Sequence, residues 1–146
     1  PTEWQEFAEV VHSRLRHPGY VGDMPHTWIG SEYVRTILGM LLQDDDDRLE
    51  LLSGAPPSWV AGPGLRIGSL ATSHGTLSYS ARTENGMLTV TLGDGLRADT
   101  RVVVRWPDRQ RPAHVVVDGR VVTDYTAEGV TLEHPFRTLQ AGGPAD

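Results

Sequence analysis

Thr76-Leu77-Ser78-Tyr79-Ser80-Ala81-Arg82, followed by Thr83-Glu84-Asn85-Gly86 and Met87-Leu88-Thr89-Val90-Thr91-Leu92, is the stretch whose reading decides the fold. Apolar and polar residues alternate on both sides of Asn85-Gly86, the period that places successive side chains on opposite faces of a strand. Asn-Gly between two such runs signals a hairpin with a type I′ turn, because both central positions need positive φ. The pattern predicts strands over Thr76–Arg82 and Met87–Leu92.

The same device recurs downstream, where Asp118-Gly119 separates Val115-Val116-Val117 from Val121-Val122. Period-two runs also predict strands over Arg48–Leu52, Leu65–Leu70, Arg101–Trp106, Ala113–Val117, Arg120–Tyr125 and Val130–Glu133. Gly93-Asp94-Gly95 and Pro107-Asp108 mark further turns. Many short strands at even spacing, punctuated by turn signals, read as an antiparallel β-sandwich over residues 48–139. The tail over 140–146 carries glycine and proline and is expected to fray.

Upstream of Arg48 the period is helical. Thr2 to Arg16 places Trp4, Phe7, Ala8, Val11 and Leu15 on one face, with Thr2 and Gln5 at capping-box spacing and Pro18-Gly19 as a stop. A second helix is predicted from Thr27 to Leu42. Its apolar residues, among them Trp28, Ile29, Tyr33, Val34, Ile37, Leu38 and Leu41, cover far more than one stripe. A helix this apolar expects burial on more than one side, so a missing partner is the simplest explanation. Asp44 to Asp47 is read as a solvated loop rather than a calcium site, since the spacing lacks that loop's central glycine. The expected class is therefore α+β: an N-terminal helical hairpin over 1–43, then the sandwich.

Composition removes several functions. The 146 residues amount to one domain, or a small domain with an appendage, and the apolar and charged fractions of 38% and 22% are ordinary for a globular chain. A net charge of -6 supplies no basic patch for nucleic acid. With no cysteine there are neither disulfides nor thiolate metal sites, and the six histidines are scattered without ligand spacing, so neither metal nor cofactor is expected. No apolar stretch is long enough for a membrane span. The acidic opening Pro1-Thr2-Glu3-Trp4-Gln5-Glu6 does not read as a signal peptide, and a start on Pro1 reads as a processed or excised piece. The compartment stays open.

Between the two predicted helices lies Gly22-Asp23-Met24-Pro25-His26-Thr27-Trp28, where polar, aromatic and conformationally special residues crowd together. It is followed by a Glu-Tyr-bearing apolar helix, an acidic turn, and Leu49-Glu50-Leu51-Leu52-Ser53-Gly54-Ala55-Pro56-Pro57-Ser58-Trp59. Thr72-Ser73-His74-Gly75-Thr76-Leu77-Ser78-Tyr79 comes next. In this order the segments resemble the C-terminal region of bacterial six-hairpin glycoside hydrolases, (α/α)₆-barrel enzymes such as the α-L-rhamnosidases that close with a β-sandwich. All thirteen basic residues are arginine, which reads as the codon bias of a GC-rich bacterial genome.

The resemblance implies that 1–43 are the last helices of a barrel and that His26 touches substrate. Trp28 is then a stacking platform, with Asp23 and Glu32 as further substrate-binding candidates. Imidazole, carboxylate and indole are suited to hydroxyls and apolar sugar faces. Glycoside hydrolysis needs two carboxyl groups about the scissile bond; the resemblance places both upstream, and Trp4-Gln5 carries glutamine where the family's base glutamate follows a tryptophan. No catalytic residue is assigned, and the chain alone is expected to be inactive.

Plainer roles stand beside these. His26 can be satisfied by backbone in a tight loop, Trp28 can pack in a core, Glu32 can pair with Arg35, and Asp23 can stabilise its own turn. Trp59 reads as a plug, His74 as a turn residue and Trp106 as the cap of a sheet edge. The rival from another class is a stand-alone module that binds carbohydrate through exposed aromatics, with Trp59, Tyr79, Trp106 and Tyr125 as candidates. A third is an assembly domain whose apolar helix is covered by another copy of the chain.

Overall fold

The computed structural model describes residues 8, 12–14, 17–18 and 26–144, the last without its side chain. The chain divides into two compact units, Pro1–Gly39 and Met40–Asp146. Elements run in the order α1 (Thr27–Leu41), β1 (Leu42–Asp45), β2 (Arg48–Leu51), α2 (Pro57–Val60), β3 (Leu65–Thr72), β4 (Gly75–Glu84) and β5 (Met87–Leu92). They continue with β6 (Val102–Arg105), β7 (Pro112–Val117), β8 (Arg120–Val122), β9 (Gly129–Leu132) and β10 (Thr138–Pro144). The protein is mixed α and β, mainly β, with mostly antiparallel sheets.

The helix expected over Thr2–Arg16 lies largely outside the described residues. Its described members Ala8 and 12–14 are not helical. There the Arg14 amide donates to His12 Nδ1 at 3.0 Å, and the His12 and His17 rings stack at 4.0 Å. A side chain that takes a nearby amide competes with the helical ladder, which accounts for the bend.

α1 follows its prediction. Its last carbonyls are not left open: Met40 O accepts the Gly54 amide, and Leu41 O accepts both the Leu52 amide at 2.9 Å and the Tyr79 hydroxyl at 2.8 Å. These partners satisfy orphan groups of the helix end and fix where the chain turns into β1.

A six-stranded sheet has the order β3-β4-β5-β10-β7-β8, every pair antiparallel. The predicted hairpins are both present. Asn85 and Gly86 have φ of 52° and 75°, and Asp118 and Gly119 have 48° and 78°. A four-stranded sheet has the order β1-β2-β6-β9, in which β2 and β6 run parallel. Leu49, Leu51, Val102, Val104 and Val130 of this sheet join Leu77, Tyr79, Val90, Val115 and Leu139 of the other in one hydrophobic cluster. The alternation decides which residues enter it: in β4 only Leu77, Tyr79 and Ala81 are buried, every second position.

Two expectations are overturned. The acidic run is not a loop throughout, because Leu42–Asp45 pairs with β2 from Leu42↔Leu51 to Asp45↔Arg48, leaving Asp46-Asp47 as the turn. Buried Leu42 anchors this strand, and Asp44 accepts the Ser73 amide at 2.8 Å and its hydroxyl at 2.6 Å. The frayed tail expected from residue 140 is strand β10 as far as Pro144, bonded to β5 on one side and β7 on the other. Leu139 and Ala141 point into the core, so burial and two ladders hold a segment whose composition argues for disorder.

Candidate functional site

His26 ends the chain's approach to α1. Its Nδ1 accepts the Ile29 amide at 3.4 Å, and its carbonyl accepts the Gly30 amide at 3.1 Å, which makes it the N-cap residue of the helix. The backbone thus accounts for part of this imidazole's bonding. Trp28, in the first turn, is 71% exposed and does not pack in a core. The Ser31 hydroxyl donates to its carbonyl at 2.8 Å. Glu32 pairs with Arg35 at 3.3 Å on the exposed helix surface, the plainer of its two expected roles. Trp28 and Glu32 stand four residues apart and so share a face of α1. Asp23 lies outside the described residues.

Three of the four expected substrate contacts therefore gather within two turns at the start of α1. They present an imidazole, an exposed indole and a carboxylate. Such groups can hold a polyol by hydrogen bonds and an apolar face, but they supply no second carboxyl group for hydrolysis. Among the described residues no group of three or more His, Asp or Glu is placed to hold a metal ion. No helix among them is long and apolar enough to cross a membrane.

The aromatic residues proposed as surface platforms are placed differently. Tyr79 is 2% exposed and Trp106 4% exposed, both within the core cluster. The Trp106 indole N–H donates to Thr126 O at 2.9 Å, and burial pushes the Tyr79 hydroxyl pKa well up. Trp59 and Tyr125 pack partly buried against the same cluster, and Arg111 lies 5.0 Å over the Tyr125 ring. A strand alternation that assigns Tyr79 to the inner face foreshadows its burial. Nothing comparably local marks Trp106.

His74 does sit in the turn between β3 and β4, but it is buried. Its Nε2 donates to Asp45 O at 2.7 Å, and its Nδ1 faces Arg97 Nη2 at 3.4 Å, so the ring ties the β3–β4 turn to the β1–β2 hairpin.

Two features escaped the sequence. An apolar cleft of about 260 Å³ is walled by Val60, Leu88, Trp106, Pro107, Pro112 and Ala141, with Thr83, Asp108 and Gln110 as its polar groups. It unites the β4–β5 turn, α2 and the loop before β7, which only tertiary structure brings together. The second feature is a buried ion pair. Glu50 is 6% exposed, and its Oε2 lies 2.9 Å from Arg105 Nη2. The Arg105 hydrogen bond holds the Glu50 carboxyl below its ordinary value although burial opposes this, and Glu50 in turn raises the Arg105 guanidinium. A charged residue inside the alternating run Arg48-Leu49-Glu50-Leu51 was the available signal, but it reads equally as a solvated face.

No protein-family model, no curated protein and no solved structure matches the chain.

Proposed function

We propose that the chain is the C-terminal portion of a bacterial carbohydrate-active enzyme of the six-hairpin glycoside hydrolase type. On this reading α1 is the last helix of an α/α barrel and the second of a helical hairpin, and the two sheets form the closing β-sandwich. The sheets stabilise the barrel; the start of α1 contributes His26, Trp28 and Glu32, together with Asp23, to a sugar pocket. Hydrolysis itself falls to carboxyl groups of upstream barrel segments.

One observation carries the reading: Trp28, Tyr33, Val34 and Leu38 of α1 are exposed. Apolar surface left in water forgoes about 25 cal/mol per Å² of stabilisation, and a barrel helix covered by its neighbours recovers it. The rival carbohydrate module, built on exposed aromatics, loses Tyr79 and Trp106 to the core. A second copy of the chain is the other partner that would cover α1.

The test is the intact mass of the native protein and the sequence of its full reading frame, followed by hydrolysis of aryl glycosides. The expected product carries several more helical hairpins with two pocket carboxylates. His26→Ala in that product lowers kcat/KM about tenfold, the loss of one hydrogen bond of about 1.4 kcal/mol. A frame without upstream hairpins, or an unaffected His26→Ala enzyme, overturns the reading.

A further inference from the structure

Val60, Leu88, Trp106, Pro112 and Ala141 are buried, yet all five border one cleft of about 260 Å³ within the unit Met40–Asp146. They make its floor, and exposed Pro57, Ala61, Asp108 and Gln110 stand at its rim. An apolar cavity of about 150 Å³ stays dry and takes up benzene, so this cleft has room for one ring or two fused rings.

Its walls are fixed before any ligand arrives. Pro57, directly after Pro56, opens α2 with a locked φ. The Arg82 side chain donates to Gly62 O at 2.8 Å, which ties the chain just after α2 to β4. Trp106 is held by three bonds: its amide donates to Glu128 O at 3.1 Å, its indole N–H to Thr126 O at 2.9 Å, and its carbonyl accepts the Arg109 amide at 3.0 Å. Ala141 is paired on both sides, with Leu88 of β5 and Val115 of β7. A preformed apolar site spends little on ordering itself around a ligand.

The polar groups narrow the ligand's chemistry. Asp108 is the one charged side chain lining the cleft, and its Oδ1 accepts the Gln110 amide at 3.0 Å, which leaves Oδ2 open to a further donor. Arg109 and Arg111 bring positive charge to the same loop without lining the cleft, and Arg111 lies 5.0 Å over the Tyr125 ring. They offset Asp108, so neither sign of ion gains net attraction. An ion pressed against Val60, Leu88 and Ala141 would lose hydration for no paired charge, whereas a neutral ring loses little. A carboxylate accepts hydrogen bonds and donates none, so the ligand must offer an N–H or O–H at the rim. Trp106 in the floor favours an aromatic ring, because such pairs attract beyond the area they bury.

We propose that this cleft binds a small neutral aromatic compound of one or two fused rings that carries one N–H or O–H donor. The ring lies against the Leu88–Ala141 floor, and its donor meets Asp108. The inference uses no residue from the start of α1 and does not require an upstream barrel.

The experiment is an NMR titration of the 146-residue chain, followed at backbone amides and indole N–H groups. The probes are indole, N-methylindole, benzoate and benzamidinium, each taken to about 5 mM, ample for a Kd below about 1 mM. Indole is expected to shift the Leu88 and Ala141 amides and the Trp106 indole N–H in a saturable way. N-methylindole, which has no donor, should bind at least about threefold more weakly, the loss of one solvent-exposed hydrogen bond. Asp108→Asn keeps an oxygen for the Gln110 amide but turns a donor toward the ligand; it should weaken indole by a similar factor and leave N-methylindole unchanged. Ala61→Leu, a substitution at an exposed rim position, should weaken both rings at least about fivefold by narrowing the mouth. No saturable shift at these groups, benzoate or benzamidinium binding as tightly as indole, N-methylindole equal to indole, or unchanged indole affinity in folded Ala61→Leu would each overturn the proposal. So would shifts of the same amides on diluting the ligand-free chain, which would assign the cleft to a second copy. Because no barrel segment enters the assay, a negative result here leaves the glycosidase reading to its own test.

Discussion

Arg105 Nη2 lies 2.9 Å from Glu50 Oε2, a bond between neighbouring parallel strands on the side of the four-stranded sheet turned away from the core. Glu50 is almost wholly buried, whereas the Arg105 side chain keeps a third of its surface in water. Breaking such a pair by removing one partner leaves an uncompensated charge. Arg105→Met should therefore destabilise the protein by about 3 kcal/mol, the lower end of the range for buried pairs because Arg105 is partly solvated. The double variant Glu50→Leu/Arg105→Met should recover most of that loss. Urea unfolding of the two variants checks it, and equal destabilisation by both would count against the charge argument.

The same pair sets an acid dependence. The folded Glu50 carboxyl titrates below its ordinary value of 4.5, chiefly through the Arg105 hydrogen bond. Its contribution is fully present above that value, where the unfolded chain is already ionised, and is lost as pH falls through the lower folded value. Urea midpoints measured from neutrality downward should decline below about pH 4.5, and the decline should be shallower in Glu50→Gln. An identical profile in the variant would assign the acid sensitivity to other carboxylates.

Asp118 does more than turn the β7–β8 hairpin. Its carboxylate accepts the amides of Arg137 at 2.9 Å and Thr138 at 2.8 Å, and its own amide donates to Thr138 O at 2.9 Å. With φ at 48°, the position also disfavours most side chains. Asp118→Ala should cost about 2 kcal/mol, combining lost charged hydrogen bonds with left-handed strain, and Asp118→Asn clearly less. Chemical denaturation of both variants separates the two contributions.

Tyr79→Phe should be mild. The hydroxyl donates to Leu41 O, yet that carbonyl keeps the Leu52 amide, so its removal orphans nothing. A loss of about 0.5–1 kcal/mol is expected, against several for truncating the buried ring to alanine. A larger Phe effect would mean that the hydroxyl fixes the α1–β1 junction beyond its single bond.

Trp28 and Trp106 offer a direct optical contrast. In chains that retain one tryptophan each, acrylamide should quench Trp28 strongly and Trp106 weakly, given exposures of 71% and 4%. Protection of Trp28 that appears only at high protein concentration would identify a second copy of the chain as its cover.

The sheets were legible where local chemistry suffices. Period-two alternation and the Asn85-Gly86 and Asp118-Gly119 turns mark β4, β5, β7 and β8 without outside help. β1 and β10 were hidden for a physical reason. Leu42-Gln43-Asp44-Asp45 is acidic, and Thr138-Leu139-Gln140-Ala141-Gly142-Gly143 is rich in glycine, so neither has intrinsic strand preference. Both are strands because of what lies beside them. At the start of α1 the Glu32–Arg35 pair follows from helical spacing, whereas the capping of the helix by His26 was not read from the sequence, which offered only a backbone-satisfied histidine in a tight loop. The cleft and the buried ion pair were not readable, since Glu50 and Arg105, or Val60 and Ala141, meet only through pairings distant in sequence.

The position of β10 has a consequence for how the protein is made. It follows every other strand in the sequence yet occupies the middle of the six-stranded sheet, between β5 and β7. As the polypeptide leaves the ribosome, the β3–β4–β5 meander and the β7–β8 hairpin can form first, each with an open flank of unpaired amides and carbonyls. Those two flanks wait for the same late segment, and until it arrives each is a template for a neighbouring nascent chain. Completion of the sheet is therefore a race between residues 138–144 and intermolecular pairing, and slowing translation just before Thr138 should raise the aggregated fraction.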